Sequence, residues 1–102
     1  KLSEIYATLS RDTVTWKDEV SDEERDIFLK IMKENNIKVH LFDTLKEAVE
    51  TVIDIAQKDD VVMFAGCQGM DKAGRIGLNY ILEKNNAYDR EEILFPLKDR
   101  IV

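Results

Sequence analysis

The sequence predicts an α/β domain built on a mainly parallel sheet flanked by helices. Three observations carry that prediction. Apolar runs of strand length alternate with helical apolar stripes along the 102 residues. The connections between them are short, so successive elements are neighbours in space. One run, Val61–Ala65, is apolar at every position, the composition of a strand buried on both faces.

In chain order, residues Glu4–Leu9 are β-rich and read as the first strand. Ser10–Val20 is polar, contains Arg11, Asp12 and Trp16, and reads as a loop. Ser21–Glu24 carries the residue types of a capping box, in which Ser21 and Glu24 each satisfy the other's backbone N–H. The helix that follows shows Ile27, Phe28, Ile31 and Met32 on one face and stops at Asn35–Asn36. Ile37–Phe42 alternates as a second strand, with Ile37, Val39 and Leu41 on one face and His40 on the other.

Thr44–Glu47 is a second capping box. Leu45, Ala48, Val49, Val52, Ile53 and Ala56 then form the cleanest helical stripe of the chain. Lys58–Asp60 turns into the expected central strand, Val61–Ala65. Gly66 and Gly69 punctuate a tight loop, and a third helical pattern opens near Asp71. Its face is Ala73, Ile76, Tyr80 and Ile81, and it ends near Asn85–Asn86. Gly74 and Gly77 lie inside it, each costing roughly 1 kcal/mol relative to Ala. Close approach of this helix to the sheet is the expected reason. Asp89–Leu94 has the pattern of a short helix, limited by Pro96.

The chain has the length of a single domain, residues 1–102. A net charge of −6 argues against non-specific binding to nucleic acid or an anionic membrane, both of which need positive charge. No apolar run approaches the ~20 residues of a membrane span, and no signal-peptide pattern is present. The one cysteine, Cys67, has no partner for an internal disulfide, and no Cys/His cluster has zinc spacing. A cytoplasmic protein fits these features. The chain begins at Lys1, already in a strand pattern, and is expected to be a piece of a longer protein.

Ligands in open parallel sheets bind beyond the carboxyl ends of the strands. That edge should collect Ser10–Val20, Asp43–Thr44 and Gly66–Met70. Strand, glycine loop and helix together point backbone N–H groups and a positive dipole end at a ligand. Two readings fit the loop: an anion or carboxylate site, or a turn that only connects strand to helix. Gly69–Ile76 imitates the first half of a P-loop but lacks its chemistry. Arg75 stands for the phosphate-reaching Lys and Ile76 for the Mg²⁺-binding hydroxyl. Gly66 and Gly69 are also spaced three apart, which is not the dinucleotide fingerprint. Arg11 and Asp12, leaving the first strand, are ligand contacts or an ordinary turn. Trp16 packs a partner or covers the core edge. His40, the only histidine, reads as packed or solvated rather than catalytic. The acidic run Asp18–Asp26 reads as a solvated loop and helix start.

The stretch Asp60–Asp71 resembles the glycine strand-loop in the C-terminal domain of the Mur ligase family, ATP-dependent enzymes that add amino acids to peptidoglycan precursors. Asp43–Val49 is similar to the family's helix before that strand, and Tyr88–Glu92 to its closing acidic segment. The resemblance covers the later half of the usual C-terminal domain. It implies a Rossmann-like, three-layer fold that closes over a central ATPase domain and helps hold the incoming amino acid. The implied reaction activates a carboxylate as an acyl phosphate, which the amine then attacks. ATP and Mg would be bound mainly by the central domain, which this chain lacks, so these residues alone are expected to be inactive. Its partners would be the upstream domains of the same polypeptide and an amino-acid substrate. Gly69 and Asp71 match the family's substrate-contacting loop residues. With Gly66, Gln68 and Arg11 they form the candidate substrate-binding set, with no catalytic residue and no metal ligand in this chain. At Ser10–Thr13 an Asp-Asn-Pro-Arg motif of some members is absent, so diaminopimelate is not implied as substrate. The alternative is a non-enzymatic, flavodoxin-like ligand-binding or oligomerisation module.

Overall fold

The computed structural model describes residues 2–84. Two strands, β1 (Glu4–Thr8) and β2 (Lys38–Phe42), pair in parallel, with Glu4 opposite Lys38 and Thr8 opposite Phe42. Parallel neighbours need a crossover, and α1 (Asp22–Glu34) supplies it. Then follow α2 (Leu45–Ile55), a one-turn 3₁₀ segment (Gln68–Met70) and α3 (Ala73–Lys84). The α/β class and the parallel β1–β2 pair are as expected. The short helix expected at Asp89–Leu94 and the resemblance at Tyr88–Glu92 lie outside the described residues.

The helix boundaries follow from local chemistry. Ser21 Oγ accepts from Glu24 N, and Glu24 Oε1 accepts from Ser21 N, both at 3.1 Å, closing the capping box of α1. Asn35 caps the other end, and Asn36 turns the chain with φ 57°, a left-handed conformation that Asn tolerates. Thr44 Oγ1 accepts from Glu47 N at 3.2 Å, the forward half of the second box.

The core sits between α2 and α3 rather than on the sheet. Leu45 and Ala73 are fully buried and Val49 nearly so, with Ile53, Met70 and Ile76 packed around them. Gly77 makes this close approach possible. A Cβ there would lie 3.0 Å from Ile53 Cδ1 and 3.4 Å from Val49 Cγ1. The expectation that both helix glycines face the sheet is therefore corrected: Gly77 faces α2, and Gly74 faces open space. The stripe of α1 is also rotated from the one expected. Phe28, Leu29 and Met32 are half-buried, whereas Ile27 and Ile31 are exposed. The two candidate stripes are one residue apart on the helix, and packing against β2 selects the one containing Leu29.

The largest departure is at Val61–Ala65, where no strand forms among the described residues. The segment joins no ladder, and its exposure alternates: Val61 93 % and Met63 82 %, against Val62 37 % and Phe64 36 %. One face lies on the helices and the other is open. A strand buried on both sides needs a layer on each side, and the described residues supply one. The alternation is strand-like even though the hydrogen bonds are missing.

Across α2 and α3, Tyr80 Oη donates to Asp54 at 2.8 Å and Lys84 Nζ pairs with the same carboxylate. These partners, Lys84 first, hold Asp54 below the usual carboxylate range. The Ser21 backbone N–H does the same for Glu24, and His40 for Glu4. A carboxyl with a lowered folded-state pKa binds protons more readily when unfolded. Its stabilisation is complete above the unfolded value and is lost as pH falls through the folded one. The expected result is a urea midpoint that is flat near neutrality and drops below about pH 4.5, with a shallower drop in Asp54→Asn.

Candidate functional site

The site begins with the turn that ends β1. Ser10 is 4 % exposed and adopts φ 51°, the left-handed region that a serine enters at a cost. The turn holds it there. Its N–H donates to Thr8 Oγ1 at 2.9 Å, and its carbonyl accepts from Thr13 N at 2.9 Å and Val14 N at 3.0 Å. This fold-back directs Arg11, Asp12 and Thr13 toward three different neighbours.

Arg11 N donates to Asp43 O at 2.9 Å, extending the β1–β2 contact past the strand ends. Its guanidinium lies 3.6 Å from Glu19, 3.8 Å from Asp22 and 3.7 Å from Asp43. Three carboxylates thus compensate its charge within the chain, and Arg11 ties the start of α1 to the β2–α2 connection. Asp12 spans the N-terminus of α2: Oδ1 accepts from Leu45 N at 2.7 Å and Oδ2 from Lys46 N at 3.1 Å. An anion at this end satisfies two orphan N–H groups and the helix dipole together. Of the two readings for Asp12, the structure supports the structural one.

Thr13 Oγ1 donates to Gly69 O at 2.9 Å, joining the first loop to the glycine loop. The sequence reading missed Thr13. Its signal was weak: a lone hydroxyl residue five positions after the end of β1, in a polar run with no motif spacing. A Cβ on Gly69 would lie 3.0 Å from Val14 Cγ1 and 3.1 Å from Ser10 Cβ, so any side chain there would press on the turn after β1. A Cβ on Gly66 would collide with the Met70 side chain. The loop closes on itself through Met70 N to Cys67 O at 2.8 Å and Asp71 N to Gln68 O at 3.3 Å. The three loops expected at the carboxyl edge therefore meet, with Ser10–Val14 as the piece common to both contacts.

Gln68 and Asp71 are exposed within this cluster, as is Cys67. Asp71 does not cap α3. Lys72 holds that position, its carbonyl accepting from Ile76 N at 2.9 Å. Among the described residues no side-chain hydrogen bond or ion pair engages the Asp71 carboxylate. His40 lies away from the loops, at mid-strand, stacked on Tyr6 at 4.4 Å and 3.2 Å from Glu4. It is a packed residue, as expected. Trp16 is 80 % exposed, and among the described residues its one ring partner is Lys17, 5.6 Å from the ring centroid. No cluster of His, Cys, Asp or Glu among the described residues could hold a metal ion. With Arg75 and Ile76 opening α3 where a P-loop needs Lys and Ser or Thr, the described residues do not fit ATP and Mg.

No family model matches the chain, and no curated protein is significantly similar to it. The reading of the loop rests on its residues and their geometry.

Proposed function

We propose that this chain is part of the C-terminal domain of a Mur-ligase-like enzyme, and that its glycine loop presents Asp71 to the ammonium group of an amino-acid substrate. The observation that supports this is the state of the loop. Its backbone is pinned to the turn after β1 by the Thr13–Gly69 bond, while the Asp71 carboxylate is exposed and takes no side-chain hydrogen bond or ion pair among the described residues. A fixed backbone with a free carboxylate is suited to receive a cation. The charge-assisted hydrogen bond it would form is worth roughly 1.5–3 kcal/mol. Gly66, Gln68 and Gly69 shape the loop and offer backbone groups, and Arg11 holds the neighbouring loop in place. ATP and Mg belong, in this reading, to a central domain on the same polypeptide. The complete domain would be Rossmann-like and three-layered.

The test is Asp71→Asn in the complete enzyme. Asn keeps the shape and removes the charge, so the amino-acid KM is expected to rise roughly tenfold or more. Because the Asp71 side chain makes no cap, and its backbone N–H to Gln68 O is kept in Asn, the melting temperature should hold. An unchanged KM in a folded variant would remove Asp71 from the site. The rival, a non-enzymatic module, predicts no ligation at any amino-acid concentration even in the complete polypeptide.

A further inference from the structure

The peptide unit that joins Gly69 to Met70 is held at both ends. Its carbonyl accepts from Thr13 Oγ1 at 2.9 Å, and its N–H donates to Cys67 O at 2.8 Å. Because the unit is planar, the two bonds together fix its rotation. The Thr13 hydroxyl has one proton and two carbonyls within reach, Gly69 O at 2.9 Å and Ser10 O at 3.2 Å. Ser10 O already accepts from the N–H groups of Thr13 and Val14, which occupies both of its lone pairs. The hydroxyl proton therefore serves the shorter contact, to Gly69. That allocation matters because of the residue it reaches. Glycine has no Cβ and turns about its backbone bonds with little steric resistance, so its peptide is where this loop flips most easily. Two residues on, Asp71 N closes the same 3₁₀ turn on Gln68 O at 3.3 Å, just beyond the usual N–H···O range. The turn's own bond is a weak guide for Asp71, and the fixed peptide ahead of it sets its course.

We infer, resting on the role proposed for Asp71, that Thr13 is a positioning residue for the amino-acid substrate. It acts through Gly69 and not on the substrate itself. Its hydroxyl holds the Gly69–Met70 peptide in one orientation, so the Asp71 carboxylate meets the ammonium group without first being ordered. A preordered loop loses less freedom on binding. Without the bond, only the fraction of molecules with the peptide in this orientation binds, and affinity falls by that fraction. The loss falls on KM. A Thr13 that only held the fold together would instead lower the amount of active enzyme, and so kcat, at constant KM.

Thr13→Val keeps the side chain's shape and removes its proton, and Thr13→Ser keeps the proton. The complete enzyme is assayed at saturating ATP with whichever protein amino acid it ligates fastest. Thr13→Val should raise the amino-acid KM roughly fivefold and change kcat by less than about twofold, and Thr13→Ser should restore KM. In the Asp71→Asn background Thr13→Val should add nothing further, because the group it positions is gone. If Asp71→Asn alone raises KM, then an unchanged KM in Thr13→Val, or an equal rise in both backgrounds, overturns the inference and leaves the proposed function standing. An unchanged KM in Asp71→Asn, or no ligation at all, overturns both. A second readout needs no turnover. In the full chain, Thr13→Val should speed amide hydrogen exchange at Met70 and Asp71 roughly tenfold and leave β1 and β2 unchanged. Equal exchange at Met70 and Asp71 in the two proteins also overturns the inference.

Discussion

Leu45→Ala lowers the unfolding free energy by about 2–5 kcal/mol, the largest loss expected from any single truncation here. Leu45 is fully exposed to its neighbours and not at all to water, packed on Val49 and Ala73 at the centre of the α2–α3 core. The removed methyl groups lose their transfer energy, and the space they leave adds a cavity cost. The site has little freedom to collapse, because the Leu45 N–H is held by Asp12 at 2.7 Å. That restraint places the loss in the upper part of the range. Urea unfolding at neutral pH measures it directly: the midpoint should fall with the slope unchanged. A loss under about 1 kcal/mol would mean that the core lies elsewhere.

Gly69→Val costs about 1–3 kcal/mol by overpacking. Even a Cβ would press on Val14 Cγ1 at 3.0 Å and Ser10 Cβ at 3.1 Å, and valine adds two methyl groups beyond it. Ser10 cannot easily give way, since it is buried and already left-handed at φ 51°. Val14 can. Val14→Ala in the same chain should therefore restore part of the loss, giving a favourable coupling in a double-mutant cycle of at least about 0.5 kcal/mol. Strict additivity would show that the two loops do not touch. No positive φ is involved at Gly69, so the penalty is one of space alone.

Much of this architecture can be read from the residues. The Ser21–Glu24 box, the Asn35–Asn36 stop and the alternation of Ile37–Phe42 each state a local preference that the fold obeys. What the residues do not state is which surface answers which. Val61–Ala65 has the composition of a buried strand, but composition names no partner, and among the described residues every position of the segment stays exposed, Val62 and Phe64 least. Gly77 announces a close approach without saying to what, and the answer is α2. At the candidate site, the meeting of three loops follows from the order of elements in a parallel α/β chain. The division of labour within it does not. Asp12 and Asp71 are the same carboxylate to a sequence reader. One is spent on two backbone N–H groups of α2 and the other faces solvent, a difference set by contacts more than thirty positions apart in the chain.

The one-sided, partial cover of residues 61–65 matters most while the protein is being made. A polypeptide emerges from its N-terminus, so this apolar stretch is in solution before α3 exists to lie against its inner face. In that interval it offers unpaired peptide groups and a row of large side chains, the combination on which neighbouring nascent chains add strands. The residues on either side answer the hazard. Asp59 and Asp60 place two like charges against its entry, and Gly66 breaks its exit. Flanking charges of this kind act as gatekeepers. Asp60, which closes the turn in the finished fold by accepting from Gln57 N at 2.8 Å, is thus also placed with Asp59 to keep unfinished molecules apart.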